Sequence, residues 1–256
     1  MILTKYGKKE WGMALAIFLI VLFLVAVCMS FRVIPLGVAA VVVVLAGLVC
    51  FAVAAFFRDP PRKIASDPSA IVSPADGTIR DVELIKSETL ECEELRRLFH
   101  DKDILRIGIF LSVLNVHLNR APWDMKVEFK FYKPGRYLDA RDPNAGKLNE
   151  SMLLGATCPF EGETFPIAVR QVSGAIARRI VCPVNPGETY ARGQKYGMIK
   201  FGSRTELYIP AGMGIDVAVN VGEAVRAGSS ILAFVRPEAK AKLHALAEEA
   251  AAKDMQ

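Results

Sequence analysis

The sequence predicts a mainly β fold of the α+β class, a β-sandwich or barrel, preceded by an N-terminal transmembrane helical hairpin. Two observations carry this prediction. From Trp11 to Phe57 the chain is almost free of charge, and beyond Pro61 it changes to short alternating strands separated by turn residues. The 256 residues suffice for one sizeable domain with an appendage. We therefore predict a hairpin segment at 1–63 and a domain at 64–256.

Two apolar runs, at about 11–31 and 33–57, make up the hairpin. Each holds roughly 20 or more apolar residues, the length that crosses a hydrocarbon core of about 30 Å. Only Arg32 interrupts them, in a connecting turn that ends at Pro35. A cleaved signal peptide is the alternative, because lysines precede the first run. The second long run, and the lack of a small-residue cleavage site before a polar segment, favour the hairpin.

Basic residues flank the hairpin on both sides and predict its orientation. They are Lys5, Lys8 and Lys9 before it and Arg58, Arg62 and Lys63 after it. Because Lys and Arg accumulate in cytoplasmic segments, we expect the following domain to face the cytoplasm at the cell (inner) membrane. The net charge of +5 suits an anionic membrane surface.

Six stretches beyond the hairpin show strand patterns, with Val, Ile and Phe frequent and Asp-Gly or Pro-Gly at the turns. They cover residues 70–85, 103–112, 125–135, 165–182, 205–210 and 215–235. Residues 92–102 predict a short helical insertion, and residues 237–256 a C-terminal helix with a frayed end. The five cysteines show no metal-type pairing, and two of them lie in the apolar runs. We therefore expect reduced thiols and no metal site.

Several classes of enzyme lack their signatures here. The chain has no nucleotide-binding glycine loop, no nucleophile elbow and no zinc-binding His-Glu helix, and nothing predicts a nucleic-acid partner. Of its three histidines, His100 and His244 fall in charged helical segments and are expected to be solvated. His117 closes the apolar run "FLSVLNV", where a structural role and a role in a site both remain open.

Two further motifs have a plain structural explanation. "SPADG" puts Asp76 in an Asp-Gly turn, which by itself indicates only a turn. "VAVNVGEAVRAGSSILAFV" resembles the hairpin of lipoyl and biotinyl carrier domains, and this resemblance implies a lipoyl/biotinyl-like β-sandwich or barrel. It also leaves an alternative function, a membrane-anchored lipoyl-like adaptor or scaffold without catalysis. No lysine occupies a carrier turn, so a covalently loaded carrier is not expected.

Taken together, the motifs resemble one family closely. "FFRDPPR", "SPADG", "FLSVLNVHLNRAP", "LNES", "GAIARRIVC", "GMIKFGSR" and "VRAGSSILA" occur in this order in the short, prokaryotic-type phosphatidylserine decarboxylase proenzymes. The resemblance covers nearly the whole chain. It implies a carboxy-lyase that converts an anionic phospholipid, phosphatidylserine, to phosphatidylethanolamine and CO2 at the membrane bilayer, and it makes 64–256 a catalytic domain.

The resemblance also implies that the precursor cuts its own chain between Gly228 and Ser229. A large subunit, 1–228, and a small subunit, 229–256, then form a heterodimer, and higher oligomers are compatible with this. Ser229 becomes a pyruvoyl group, a covalent cofactor whose ketone condenses with the amine of the substrate and serves as an electron sink. Gly228 has no side chain, so the Ser229 hydroxyl can approach its carbonyl closely.

Matched residue by residue, the resemblance assigns Asp76 and His117 to a relay with Ser229. The carboxylate orients the imidazole, and the imidazole takes the hydroxyl proton. Longer members of the family have a second histidine where this chain has Arg120. Either His117 then serves both cleavage and later proton transfer, or Arg120 holds the substrate. Other candidate cations for the phosphodiester, which could equally be ordinary surface charges, are Arg178, Arg179, Lys200 and Arg204.

Overall fold

A computed structural model describes residues 1–90, 92–136, 138, 148–174, 179–200 and 203–245. The chain forms two compact units, Met1–Pro61 and Arg62–Gln256. The first unit is helical and the second is mainly β.

The first unit contains the two apolar helices that the sequence predicts, α1 (Lys8–Ser30) and α2 (Leu36–Phe56). Between them Arg32 adopts a left-handed conformation with φ of 54°, and α2 begins directly after Pro35. As the N-cap residue, Pro35 keeps an extended conformation with ψ of 153°, and it has no N–H that would be left without a partner at the start of the helix. Both helices are long and apolar enough to cross a membrane, and almost none of their surface is buried, which suits membrane association.

The described part of the second unit contains fourteen strands and a short helix, α3 (Glu93–Leu98). The strands are β1 (Ala70–Val72), β2 (Gly77–Ile85), β3 (Ile104–Leu111), β4 (Leu118–Arg120), β5 (Met125–Lys133), β6 (Ser151–Phe160), β7 (Glu163–Ser173), β8 (Ile180–Val181), β9 (Thr189–Tyr190), β10 (Lys195–Ile199), β11 (Ser203–Pro210), β12 (Ile215–Val217), β13 (Ala224–Val225) and β14 (Ile231–Val235). A further helix occupies 239–245.

The strands form three antiparallel sheets. The largest has the order β13-β2-β3-β11-β7-β6-β5-β9, and the smaller ones have the orders β1-β14-β12 and β4-β10-β8. Buried side chains from all three sheets meet in one apolar core, for example Ile109 of β3, Leu232 of β14 and Tyr196 of β10. The predicted mainly β class is confirmed, and none of the sheets closes on itself within the described residues.

The two faces of the eight-stranded sheet differ in character. Because side chains alternate along a strand, β11 sends Leu207 to the apolar core and Glu206 and Tyr208 to the opposite face. There α3 packs on the sheet through Leu95 and Phe99. This opposite face carries a cluster of buried charges, and the candidate active site lies on the core side.

Most predicted elements appear, and the differences have physical reasons. The helical insertion shortens to α3, since His100 and Asp101 adopt left-handed conformations that end it. Strand β6 was not predicted, because "SMLLGATCPF" lacks regular alternation. Most of its residues are buried on both faces of the sheet, which removes the polar half of the pattern. The predicted C-terminal helix is described to residue 245, and the rest of it lies outside the described residues.

Candidate active site

The Gly228–Ser229 bond lies in a tight turn between β13 and β14. The N–H groups of Ser229 and Ser230 both donate to the carbonyl oxygen of Arg226, at 3.1 and 3.0 Å. The Ser230 hydroxyl closes the turn from the other side, accepting the N–H of Arg226 at 2.9 Å. Ser229 is half-buried, and its hydroxyl takes no part in these bonds or in any other hydrogen bond among the described residues.

Glycine is required at position 228 for two separate reasons. Its φ of 76° lies in the left-handed region that residues with a Cβ rarely adopt. A Cβ there would also lie 2.8 Å from Cδ1 of Ile64 and 3.2 Å from Cδ of Arg120. The turn is therefore packed so closely that only a bare backbone fits.

Main-chain bonds hold the turn on several sides. Gly228 donates its N–H to the carbonyl oxygen of Ser73 at 2.8 Å, and its own carbonyl oxygen accepts the N–H of Ala65 at 3.2 Å. One residue earlier, the N–H of Ala227 donates to Oδ1 of Asp76 at 2.8 Å. The peptide groups on the N-terminal side of Ser229 are consequently fixed in position.

Asp76 joins this turn to the segment that follows the first unit. Its Oδ2 accepts a hydrogen bond from Nη2 of Arg62 at 2.5 Å, and the side chains of the pair are only 9% and 12% exposed. The carboxylate thus has a cation on one oxygen and the N–H of Ala227 on the other. Sequence reasoning identified Asp76 and missed Arg62, although Arg62 belongs to the quoted motif "FFRDPPR".

His117 is fully buried immediately before β4. Its Nδ1 lies 2.9 Å from the carbonyl oxygen of Asn115, and its own carbonyl oxygen accepts the N–H of Ile199. A carbonyl oxygen can only accept, so Nδ1 carries a proton, and a neutral ring would then accept through Nε2. This is the tautomer that a general base acting through Nε2 needs.

The predicted relay of Asp76, His117 and Ser229 stays a prediction. The bonds of Asp76 run to Arg62 and Ala227, and His117 bonds Asn115 through Nδ1. Strand β4 connects His117 to Arg120, which contacts the turn, and three residues of strand span about 10 Å. The Cα atoms of His117 and Arg120 are therefore at most about 10 Å apart.

The candidate substrate cations fall into separate places. Arg120 lies against the turn, and its Nη1 donates to the carbonyl oxygen of Gly193 at 2.9 Å. Lys200 is buried beyond β10, where its N–H donates to the carbonyl oxygen of Arg179. Because β10 runs antiparallel to β4, Lys200 and Arg179 lie at the His117 end of the β4-β10-β8 sheet, and Arg120 lies at the other end. Arg178 lies outside the described residues.

Arg204 lies on the other face of the eight-stranded sheet. It alternates with Thr205, whose hydroxyl contacts Asn119 of β4 on the core side. Its guanidinium bonds both oxygens of Asp81 at 2.7 Å, and its Nε bonds Oε1 of Glu206 at 2.8 Å. Its binding to a phosphodiester stays a prediction, and the structure provides two carboxylate partners instead.

The pKa values of this charged cluster follow from its burial and pairing. Burial alone raises the pKa of Glu206, but the nearby cations Arg170, Arg204 and Arg106 outweigh it, so that the pKa lies below its ordinary value. Burial acts in the same sense on Asp81, and bonding to Arg204 again lowers the pKa overall. A cavity of about 490 Å³ opens beside the cluster, and its lining contains none of the predicted site residues.

The described residues contain no group of three His, Cys, Asp or Glu side chains arranged as metal ligands. All five cysteines are free thiols. The described groups next to the Gly228–Ser229 turn are the Asp76 carboxylate, the guanidinium groups of Arg62 and Arg120 and main-chain N–H groups.

Comparison with known proteins assigns the chain to a family. The family model for phosphatidylserine decarboxylase matches residues 51–233, which include Asp76, His117 and the Gly228–Ser229 turn. Phosphatidylserine decarboxylase proenzymes are among its relatives. That of Nitrosomonas eutropha is 40% identical over 189 residues, covering 74% of this chain and 81% of the relative. That of Desulfotalea psychrophila is 41% identical over 177 residues, covering 69% and 76%. That of Carboxydothermus hydrogenoformans is 39% identical over 181 residues, covering 71% and 78%.

These matches define a class, the decarboxylases that are made as proenzymes, which are carboxy-lyases. The chain belongs to the phosphatidylserine decarboxylase family. The family resemblance expected from the motifs is confirmed, and the comparisons give no support to the alternative of a non-catalytic adaptor.

Proposed function

We propose that this chain is a self-cleaving proenzyme whose mature form decarboxylates phosphatidylserine to phosphatidylethanolamine and CO2. One observation carries the proposal: within the family match, Ser229 directly follows a left-handed, closely packed Gly228 in a turn fixed by neighbouring segments. A nucleophile on such a turn reacts with the adjacent carbonyl at a high effective concentration.

The proposed cleavage proceeds by an N-to-O acyl shift. The Ser229 oxygen attacks the carbonyl carbon of Gly228, the hydroxyl proton passes to a base, and the C–N bond breaks as nitrogen takes up a proton. The resulting ester loses the Cα proton of residue 229 while its Cβ–O bond breaks, leaving the Gly228 carboxylate and a dehydroalanine. Water then converts that residue to the pyruvoyl group and releases ammonia.

We assign the base role to His117 and the orienting role to the Asp76 carboxylate. The fully buried ring of His117 and its Nδ1–H bond to Asn115 support a neutral imidazole that accepts through Nε2. Asp76 acts in this proposal mainly on the turn itself, because it accepts the N–H of Ala227.

The residues at the turn fit a pyruvoyl group at position 229. The pyruvoyl carbonyl supplies an electron sink for loss of CO2. The side chain of residue 229 is half-buried and follows a glycine in contact with Arg120, so a cation lies beside the position of the group. Arg120 is our candidate for binding the anionic headgroup, with Lys200, Arg179 and Arg178 as further candidates.

We further propose that the protein acts at the cytoplasmic face of the inner membrane, anchored by α1 and α2. The apolar surface of these helices and the flanking basic residues support this location. The mature enzyme is proposed to be a heterodimer of 1–228 and 229–256. The turn pattern around Gly228 supports a lipoyl-like relationship for the strands that carry it.

Mass measurement of the purified protein tests the proposal. The mature protein should separate on a denaturing gel into a large fragment and one of about 3 kDa, in proportion to the 28.0 kDa of the whole chain. The small fragment should have a blocked N-terminus. A folded, purified protein that stays a single intact chain and lacks decarboxylase activity would contradict the proposal.

Substitution of the nucleophile provides the chemical test. Ser229→Ala should abolish both cleavage and decarboxylation, because no oxygen can attack Gly228. Ser229→Cys should still undergo the acyl shift, and the thioester should release the small fragment when hydroxylamine is added. If His117→Ala is processed at the normal rate, measured as small fragment formed over time, His117 is not the base.

A further inference from the structure

A short segment crosses the cleavage turn and supplies a hydrogen bond to its reacting carbonyl. This segment, Arg62–Ala65, which we name the strap, begins the second unit. The N–H of Ala65 donates to the carbonyl oxygen of Gly228 at 3.2 Å. That oxygen belongs to the bond that the proposed function breaks, and no motif in the sequence suggested a role for Ala65.

We propose that the main-chain N–H of Ala65 is the oxyanion donor of self-cleavage, and that Arg62 positions it. The inference rests on the proposed function. When the Ser229 oxygen forms its bond to the Gly228 carbon, the π electron pair moves onto the Gly228 oxygen, and the hydroxyl proton passes to the base. Collapse restores the C=O bond and breaks the C–N bond. Charge therefore develops on the atom that Ala65 contacts.

The existing geometry suits a donor that acts in the transition state. A distance of 3.2 Å is long for an N–H···O bond, whereas bonds to charged oxygens shorten to about 2.7–2.9 Å. The interaction with Ala65 thus strengthens as the oxygen becomes negative. Removing one such donor slows acyl-transfer reactions by about 10²–10³-fold.

Three contacts hold the strap in register with the turn. Arg62 is paired with Asp76, and the same carboxylate accepts the N–H of Ala227, so one side chain links both segments. Ile64 packs against the turn, where a Cβ on Gly228 would lie 2.8 Å from its Cδ1. Asp76, through Arg62, and Ile64 together fix the position of the N–H of Ala65, the next residue of the strap.

Gly193 also packs against the side chain of Ile64. Its φ is 80°, and a Cβ there would lie 2.4 Å from Cδ1 of Ile64. Arg120 donates to the carbonyl oxygen of the same glycine. Glycines on two separate turns thus leave room for one strap side chain, which explains how the strap reaches the buried Gly228 carbonyl.

An amide-to-ester replacement at residue 65 tests the donor directly. Full-length precursor carrying lactic acid in place of Ala65 is made by nonsense suppression in cell-free translation with detergent, and the small fragment is followed over time. We expect cleavage to slow by about 10²-fold, with unchanged thermal unfolding of the uncleaved chain. The matched control is the same replacement at Ala211, whose N–H donates to the carbonyl oxygen of Asp103 at 3.0 Å, and it should cleave at the wild-type rate.

The outcomes separate the two proposals. Wild-type precursor that never yields the small fragment contradicts the proposed function. If the wild-type precursor is cleaved and the precursor with an ester at residue 65 is cleaved at a similar rate, only the oxyanion assignment is contradicted. Equal slowing of the Ala65 and Ala211 esters also overturns it, because it indicates a general effect of backbone esters.

Arg62 is tested as a positioning residue by chemical rescue. Arg62→Ala should slow precursor cleavage about tenfold or more, and added guanidinium ion should restore part of the rate while sodium chloride at equal ionic strength should not. Arg80→Ala, which removes an exposed arginine elsewhere, should cleave normally. A loss that guanidinium does not restore, accompanied by a lower unfolding temperature, would assign Arg62 a merely structural role.

Discussion

The second unit contains two buried clusters of arginine and carboxylate side chains, and the carboxylates of the two clusters have different kinds of partner. Glu206 is fully buried on the eight-stranded sheet and is surrounded by side-chain partners, namely Arg204, Arg170, Arg106 and Tyr208. Among the described residues, Asp76 pairs with one cation, Arg62, and its other oxygen accepts a main-chain N–H of the Gly228–Ser229 turn. The first group fixes strands to one another, whereas the second fixes the peptide at which we propose that the chain is cleaved.

The difference shows why a charged residue in a motif is ambiguous. Arg204 and Arg62 both lie in quoted family motifs. From the sequence, Arg204 is one of several candidate substrate cations that could equally be ordinary surface charges, and Arg62 is a flanking charge that predicts the orientation of the hairpin. In the structure, Arg204 bonds two carboxylates, and Arg62 bonds the carboxylate that also holds the Gly228–Ser229 turn. A charged residue in a family motif can be needed for stability or for chemistry. When all its partners are buried charged side chains of the same domain, a role in stability is the simpler explanation.

The largest expected effect is on stability, at Arg204. Arg204→Met leaves Asp81 and Glu206 buried with fewer partners, which should lower the free energy of unfolding by about 3–5 kcal/mol. The change is measured by thermal or urea unfolding of the full chain in detergent. The control Arg236→Met breaks an exposed pair with Asp216 and should cost about 0–1 kcal/mol.

The opposite result at Arg204 would be equally informative. If Arg204→Met unfolds like the wild type and instead raises KM for phosphatidylserine, the guanidinium binds substrate and the cluster is not its main role. The Glu206 cluster would then, like the Asp76 pair, serve the reaction and not stability.

The next effect is on cleavage, at Asp76. Asp76→Asn keeps an acceptor for Ala227 but loses the charge that pairs with Arg62, so we expect precursor cleavage to slow by about 10²-fold. This corresponds to about 2.7 kcal/mol in the barrier. It is measured as the half-time for appearance of the small fragment. Asp81→Asn, in the other group, should lower stability without slowing cleavage, and the reverse pattern would contradict the assignment of both residues.

Sequence reasoning predicted the parts that depend on local patterns. The apolar helices, the mainly β class and the Gly228–Ser229 turn all follow from composition, alternation or adjacent residues. The contacts of Ala65 and Ile64 with Gly228 join positions more than 160 residues apart, and no local pattern encodes them. Arg204 points away from the apolar core because of the pairing register of β11. A shift of that register by one residue would turn Arg204 towards the core, and the local sequence does not determine the register.

A smaller effect is expected on the pH dependence of stability. The folded-state pKa values of Asp81 and Glu206 are lowered, so their contribution is fully present above the unfolded values of about 3.9 and 4.3. It is lost as the pH falls through the lower folded values. The unfolding temperature should therefore fall steeply below about pH 4.5, and Glu206→Gln should show a shallower fall. Parallel curves for the two proteins would show that Glu206 does not contribute to acid lability.

The smallest expected effect is at Ser230, which separates the two serines of the turn. Ser230→Ala removes the hydroxyl that accepts the N–H of Arg226, an exposed bond worth about 0.5–1 kcal/mol. Cleavage should continue, since the bonds from Asp76, Ser73 and Ala65 still hold the reacting peptide, and unfolding should occur at a slightly lower temperature. If Ser230→Ala still folds but loses cleavage as completely as Ser229→Ala, the assignment of separate roles to the two hydroxyls is contradicted. The second serine would then belong to the chemistry, and the contrast between a reacting hydroxyl and a turn-closing hydroxyl would have to be abandoned.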